Sequence, residues 1–369
     1  MTAHVIPPVN ADAIASGNDR FGITSSMLVS SSVPEAPPPA HQMATTYPAN
    51  QEVSTGVVGQ VLSVWRSLKP GNTGNLPVEG EWWTLIGTTY AEWSAAQVYA
   101  KGDLVLRSAT HMVYKRVTDG ATAQEPEKDV TAVNWSVVGA TNRWAMFDMK
   151  SANATHAIGP VTIKLRPGRI TALAMLGVSD GRATLDMKDA YGATVWPPVT
   201  VALDTTPIYS WEDYFLAPFA AVGNIVRLDL PTYVDGVITI SIEAGADFSL
   251  QWLVVGTAQS MGHTQRGPRV RNRNFSVIER NKNTGELQDI KRRKVIRLVS
   301  QRMWAPKSVV LRADAVLTSA ESVPCVFVGL DSQEDAYAEL LTLLGLCTSH
   351  EIDVAEVKDS IINIDVESV

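Results

Sequence analysis

Near its N-terminus the chain carries the same motif twice. The first copy runs Tyr47, Asn50, Val53, Trp65, Pro77, Trp83, Gly87. The second runs Tyr99, Gly102-Asp103, Val105, Tyr114, Pro126, Trp135, Gly139, with Trp93 ahead of it. Tyr47 to Val53 and Tyr99 to Val105 each span six residues, Trp65 to Pro77 and Tyr114 to Pro126 twelve, and Trp83 to Gly87 and Trp135 to Gly139 four. Self-similarity at a period of about 50 residues means a tandem of small folded units. Neither copy is long enough to bury much, so a few large aromatics must supply most of each core.

Each copy reads as an aromatic, a turn, a short strand, a second aromatic, a Gly/Pro loop and a closing Trp. Tyr47, Trp65, Trp83, Tyr99, Tyr114 and Trp135 are therefore expected in module cores, and Trp82 and Trp93 are the candidates for an exposed, glycan- or partner-contacting ring. Trp93-x5-Tyr99-x2-Gly102-Asp103-x-Val105, followed by Tyr114 and Pro126, resembles the small chitin- and cellulose-binding modules attached to bacterial glycoside hydrolases. The departure from that pattern is local. Where those modules place an exposed aromatic pair as a sugar platform, Tyr114 is followed here by Lys115-Arg116-Val117-Thr118.

The 369 residues suffice for two to four domains. A net charge of −7 argues against a general nucleic-acid binder. No run of 18 apolar residues points to a membrane span, and Met1–Asn18 has neither a basic n-region nor an apolar h-region, so no secretory leader is expected. Cys325 and Cys347 read as two buried thiols rather than a disulfide framework.

The expected fold is mainly β and falls into five parts. Residues 1–45, rich in Pro, Ser and Ala, form an extended N-terminal arm that is disordered or orders against a partner. Residues 46–92 and 93–144 are the two β modules. Residues 145–256 read as a jelly-roll-like β-sandwich of about eight strands. Val161, Ile163 and Leu165 alternate there, as do Ile238, Ile240 and Ile242, between regularly spaced breakers. The aromatics Tyr209, Trp211, Tyr214 and Phe215 are expected to pack within it. Residues 257–369 form a C-terminal α+β assembly domain, with Ser332–Leu346 as its helix and Val354–Val369 as a final strand.

That last domain has opposed charge blocks. Arg266–Arg302 holds twelve Lys/Arg and three Asp/Glu, a balance of +9, and Asp331–Val369 holds one Lys and ten Asp/Glu, a balance of −9. The blocks either neutralise each other within the fold or meet across a head-to-tail subunit contact. Arg292, Arg293, Lys294, Asp331, Glu334 and Asp335 are the candidate contact charges. A nucleic-acid role for the basic run is disfavoured by the negative whole.

No Gly-x-Ser-x-Gly elbow, Walker loop or His-Glu-x-x-His occurs, and no two of the six His stand at metal-ligand spacing. No catalytic role, cofactor or metal is expected. The order of segments, above all the link Thr141-Asn-Arg-Trp-Ala-Met-Phe-Asp148, resembles a class of virion structural proteins of tailed bacteriophages. That resemblance implies a ring, collar, adaptor or tail-tip subunit assembled in the host bacterial cytoplasm. Its partners would be copies of itself, neighbouring tail proteins or fibres, and host-surface polysaccharide. The alternatives are a host-surface carbohydrate-binding protein and a capsid decoration protein.

Overall fold

The computed structural model describes every residue except 122–123, 151–152, 180, 203–210, 212–222, 244, 246–247, 283, 333–336 and 355–358. The fold is mainly β and antiparallel. The arm contributes β1 (Thr2–Ile6), α1 (Ala11–Ala15) and β2 (Leu28–Ser31). The first repeat holds β3 (Glu52–Thr55), β4 (Leu62–Ser67) and β5 (Trp83–Thr89). The second holds β6 (Val98–Tyr99), β7 (Leu104–Arg107), β8 (Met112–Arg116), β9 (Gly120–Ala121) and β10 (Trp135–Ala140). Then come β11 (Thr155–Ala157), β12 (Val161–Leu165), β13 (Ala172–Val178), β14 (Arg182–Lys188), β15 (Thr194–Ala202), β16 (Asn224–Arg227), β17 (Val237–Glu243) and β18 (Phe248–Gly256). The C-terminal part has β19 (Gln259–Thr264), β20 (Arg269–Asn274), β21 (Val277–Arg280), β22 (Leu287–Lys291), β23 (Val295–Pro306), α2 (Lys307–Ala320), β24 (Cys325–Val328), β25 (Thr342–Asp353) and β26 (Asp359–Ser368).

A sheet ordered β15-β14-β17-β12-β2 faces one ordered β11-β18-β13-β16, which makes the sandwich. Ile238, Ile240 and Ile242 point inward while Val237, Thr239 and Ser241 stay partly exposed, as period-two alternation requires. In β13 the residues Ala172 to Leu176 are all buried. Leu173 and Met175 belong to the sandwich core, whereas Ala172, Ala174 and Leu176 pack into a second core shared with the C-terminal part. One sheet thus serves two cores, so its strands read as apolar on both faces.

The C-terminal part is a closed barrel. Its strands run β19-β1-β24-β25-β26-β23, and β19 also pairs with β23, closing the ring; β20 extends β23 outside it. The helix α2 packs on the barrel through Val310, Ala313, Leu317 and Ala320 at helical spacing.

The arm differs from its sequence expectation. β1 is inserted between β19 and β24, with Ala3, Val5 and Ile6 buried, and β2 adds an edge strand to the sandwich through Ile163↔Ser31 and Leu165↔Leu28. Composition hid this because Pro and Ser dominate the arm while its few apolar residues fill slots in cores built by distant strands. Gly256 marks the crossing: a Cβ there would run into the Pro7 carbonyl. The helix expected at Ser332–Leu346 is also corrected. Residues 333–336 lie outside the described residues, and Thr342–Asp353 is a barrel strand in which Leu343 and Leu344 are both buried. A short apolar run does not distinguish helix from strand by periodicity. The final strand lies at Asp359–Ser368.

Candidate functional site

The two repeats match in backbone pairing. Val53 pairs with Trp65 and Val105 with Tyr114; Trp83 pairs with Ser67 and Trp135 with Arg116. Gly87 and Gly139 each follow a bulge and face the residue before the second aromatic, Val64 and Val113. The Tyr47 hydroxyl accepts from the Gln42 amide at 2.7 Å, and the Tyr99 hydroxyl accepts from the Ser94 amide at 2.8 Å, five residues back in both. Tyr47–Trp83 and Tyr99–Trp135 meet edge-on at 5.3 and 5.2 Å. At the turn, Asn50 (φ 66°) and Gly102 (φ 101°) donate to the Ser67 and Arg116 carbonyls.

Tyr47, Trp83, Tyr99, Tyr114 and Trp135 are buried, and Trp65 is half-buried with its Nε1 donating to Thr55 Oγ1 at 2.9 Å. Trp82 and Trp93 are both half-buried and each carries a cation over its ring. Lys69 Nζ lies 5.7 Å from the Trp82 centroid, and the Arg107 guanidinium lies 5.1 Å from that of Trp93. Arg107 is itself held by Glu127 at 2.5 Å, and that hydrogen bond raises the guanidinium pKa further. The Trp93 Nε1 is buried and makes no hydrogen bond among the described residues. Neither ring is presented as a bare platform.

The link Thr141–Asp148 proves to be a clamp on the arm. Arg143 Nε donates to the Val33 carbonyl at 2.7 Å. Thr141 Oγ1 and Trp144 Nε1 donate to the Glu35 carboxylate at 2.9 and 3.3 Å, and His111 Nδ1 lies 2.8 Å from it. The His111 ring stacks on Trp144 at 3.9 Å. From the first repeat, Thr89 Oγ1 donates to the Glu35 carbonyl. Asp148, fully buried, takes both Nε and Nη2 of Arg20 at 2.9 and 2.5 Å. A buried carboxylate is stable only when paired and hydrogen-bonded, so Glu35 and Asp148 fix where the arm runs. Sequence reasoning missed Glu35; the available signal was one lone acid between Pro34 and Pro37-Pro38-Pro39.

Among the described residues no ion pair joins the two charge blocks. Among the described residues of 266–302, Lys291 alone pairs with carboxylates, and these are Glu279 and Asp289 of the same hairpin. Arg292, Arg293 and Lys294 are exposed, with no carboxylate within 4.0 Å among the described residues. They lie at the base of a ribbon that continues β20 and β23 into the hairpin β21–β22, and no described residue from 269 to 295 is buried. Asp331 is engaged by its own chain: burial, which raises its pKa, is outweighed by a hydrogen bond from the Thr2 amide and by the nearby N-terminal amine and His4. Glu334 and Asp335 lie outside the described residues, as do Tyr209, Tyr214 and Phe215, while Trp211 is exposed.

Among the described residues no group of three or more His, Cys, Asp or Glu is arranged to hold a metal ion, and no helix is long and apolar enough to cross a membrane. Burial pushes the Cys325 thiol up to about 12 and the Cys347 thiol up to about 11, which leaves both protonated and unreactive at neutral pH. Comparison with protein-family models and with curated proteins finds no match.

Proposed function

We propose that this chain is a structural component of a tailed-bacteriophage virion, sited in the tail as a ring or collar subunit, an adaptor or a tail-tip protein, and that it acts by assembly. The observation that carries the assembly part is the ribbon. A two-stranded hairpin alone in water is marginally stable at best. This one holds Phe275, Ile278, Leu287 and Ile290 at 45 to 55% exposure, with the Arg273 guanidinium 5.7 Å from the Phe275 ring centroid. Apolar residues left in the open beside a concentration of cations mark a protein–protein contact. The phage part rests on the resemblance centred on Thr141–Asp148, whose residues here bind the arm to both repeats.

The glycan-binding reading has less support, because each repeat turns its aromatics into a core and Trp82 and Trp93 are capped by Lys69 and Arg107. The test is a cryo-EM map of intact phage particles whose genome encodes this chain. Density for the chain in the tail, with the ribbon against a neighbour, is the expected result. Its absence from particles, or a position on the capsid shell, overturns the tail assignment.

A further inference from the structure

The ribbon has a matching surface on the same molecule. The residues of β26 that face outward are Asp359, Ile361, Asn363, Asp365 and Glu367, since Ile362, Ile364 and Val366 fill the barrel. By register, Asn363 stands beside Glu351 of β25 and Ile361 beside Trp304 of β23. Carboxylates thus line the outside of two adjacent strands. Asp359, Glu351, Asp365 and Glu367 form no ion pair among the described residues; the Asp365 carboxylate accepts from the Ser300 and Ser349 hydroxyls. Trp304 at 36% exposure and the half-buried Ile361 beside it give this face an apolar part of its own.

We propose that the ribbon of one copy docks on the β25–β26 outer face of a second copy of this chain; this rests on the assembly reading above. The charges are opposite in sign: Arg292, Arg293 and Lys294 stand in the open on the ribbon, and Glu351, Asp359, Asp365 and Glu367 on the face. The apolar parts match too. Ile278 and Ile290 stand directly opposite each other on the hairpin, so they share one ribbon face. Among the described residues no ion pair joins the ribbon to this face within one molecule. In the sheet order β25-β26-β23-β20, the strand β23 separates the acidic pair from β20, and the ribbon continues β20 outward. Folding it back would break the β20–β23 ladder. Arg269, Arg271 and Arg302 border the acidic face across a groove of about 410 Å³ but approach none of its carboxylates within 4.0 Å. Because donor and acceptor are different surfaces, an unreciprocated contact is head-to-tail and builds rings or filaments, and a reciprocated one closes a two-fold dimer. A nucleic acid fits less well: its phosphates make no use of the apolar row, and the acidic face would repel it.

The experiment uses the full chain and two charge-reversed variants, one R292E/R293E/K294E on the ribbon and one E351K/E367K on the face. Sedimentation is followed in about 0.05 M and about 0.5 M salt, where screening differs strongly. Wild type is expected to form dimers or larger assemblies that dissociate in high salt. Each variant, checked for an unchanged thermal midpoint, is expected to associate about 100-fold more weakly, as like charges face each other across the contact. An equal mixture of the two variants is expected to reassemble, because each then offers the other a complementary surface. Only this contact predicts that rescue. A monomeric wild type, variants that still assemble, or a mixture that stays dissociated overturns the proposal. Retardation of double-stranded DNA that the ribbon variant alone loses, without self-association, assigns the ribbon to nucleic acid instead. Should the chain be absent from particles and the rescue still occur, the virion reading fails and the contact stands.

Discussion

In the first repeat, Tyr47, Val53 and Trp83 close on one another and on Trp65 and Trp82. In the second, Tyr99, Val105, Met112, Tyr114 and Trp135 run on into Trp144, Phe147 and the sandwich core. The pairing, the bulge and the tyrosine hydroxyl bond are the same in both. What differs is the ground each stands on. The first repeat is an appendage with its own small core, held to the rest through contacts such as Thr89 on the Glu35 carbonyl. The second is part of the sandwich. One local sequence pattern thus yields one local fold, while the residues outside the pattern decide whether that fold is independent.

The largest effect should come from the closing tryptophans. Trp135→Ala and Trp83→Ala each delete a fully buried ring at a cost of about 3–5 kcal/mol. Their reach should differ. Hydrogen exchange is expected to rise only within 47–89 for Trp83→Ala, but across the second repeat and into strands β12, β14 and β17 for Trp135→Ala. Equal spread from both substitutions would erase the distinction between appendage and embedded unit.

Acid should separate the repeats next. Burial raises the Asp129 pKa, but hydrogen bonds from the Trp135 and Asn134 amides, at 2.8 and 2.6 Å, outweigh it and hold the carboxyl below its usual range. Its stabilisation is therefore complete above the unfolded value of about 3.9 and is lost as pH falls through the lower folded one. In the first repeat the carboxylate that accepts a β5 amide, Glu79 from Leu85, is exposed. Amide protection followed from neutral pH down through that range should fail around Trp135 with a dependence that Asp129→Asn abolishes. Identical acid profiles for the parent and Asp129→Asn would count against this.

The smallest effect lies at the turns. Gly102→Ala places a side chain at φ 101° and should cost about 1 kcal/mol, whereas Asn50→Gly relieves φ 66° and should be neutral or gain a few tenths. Denaturant midpoints of the two variants decide it; a Gly102→Ala protein as stable as its parent would show that the turn adapts.

The repeat and its aromatic cores were legible because spacing in a β unit is set locally: a strand alternates, a turn needs Asn or Gly, and a small core needs its large rings at fixed positions. Ile238, Ile240 and Ile242 announced a sandwich strand for the same reason. The charge blocks were legible as composition, but whether they pair within the chain was not. That depends on β23 lying between β20 and β26, a matter of strand order. Nor did the sequence alone place the arm. Thr2–Ile6 carries no pattern of its own and becomes a barrel strand only because β19 and β24 leave a slot that its backbone and Ala3, Val5 and Ile6 fill. Glu35, Arg20 and Asp148 became a clamp only once residues more than a hundred positions apart were brought together. Local periodicity fixes the elements; long-range burial and hydrogen bonding decide which of them share a core.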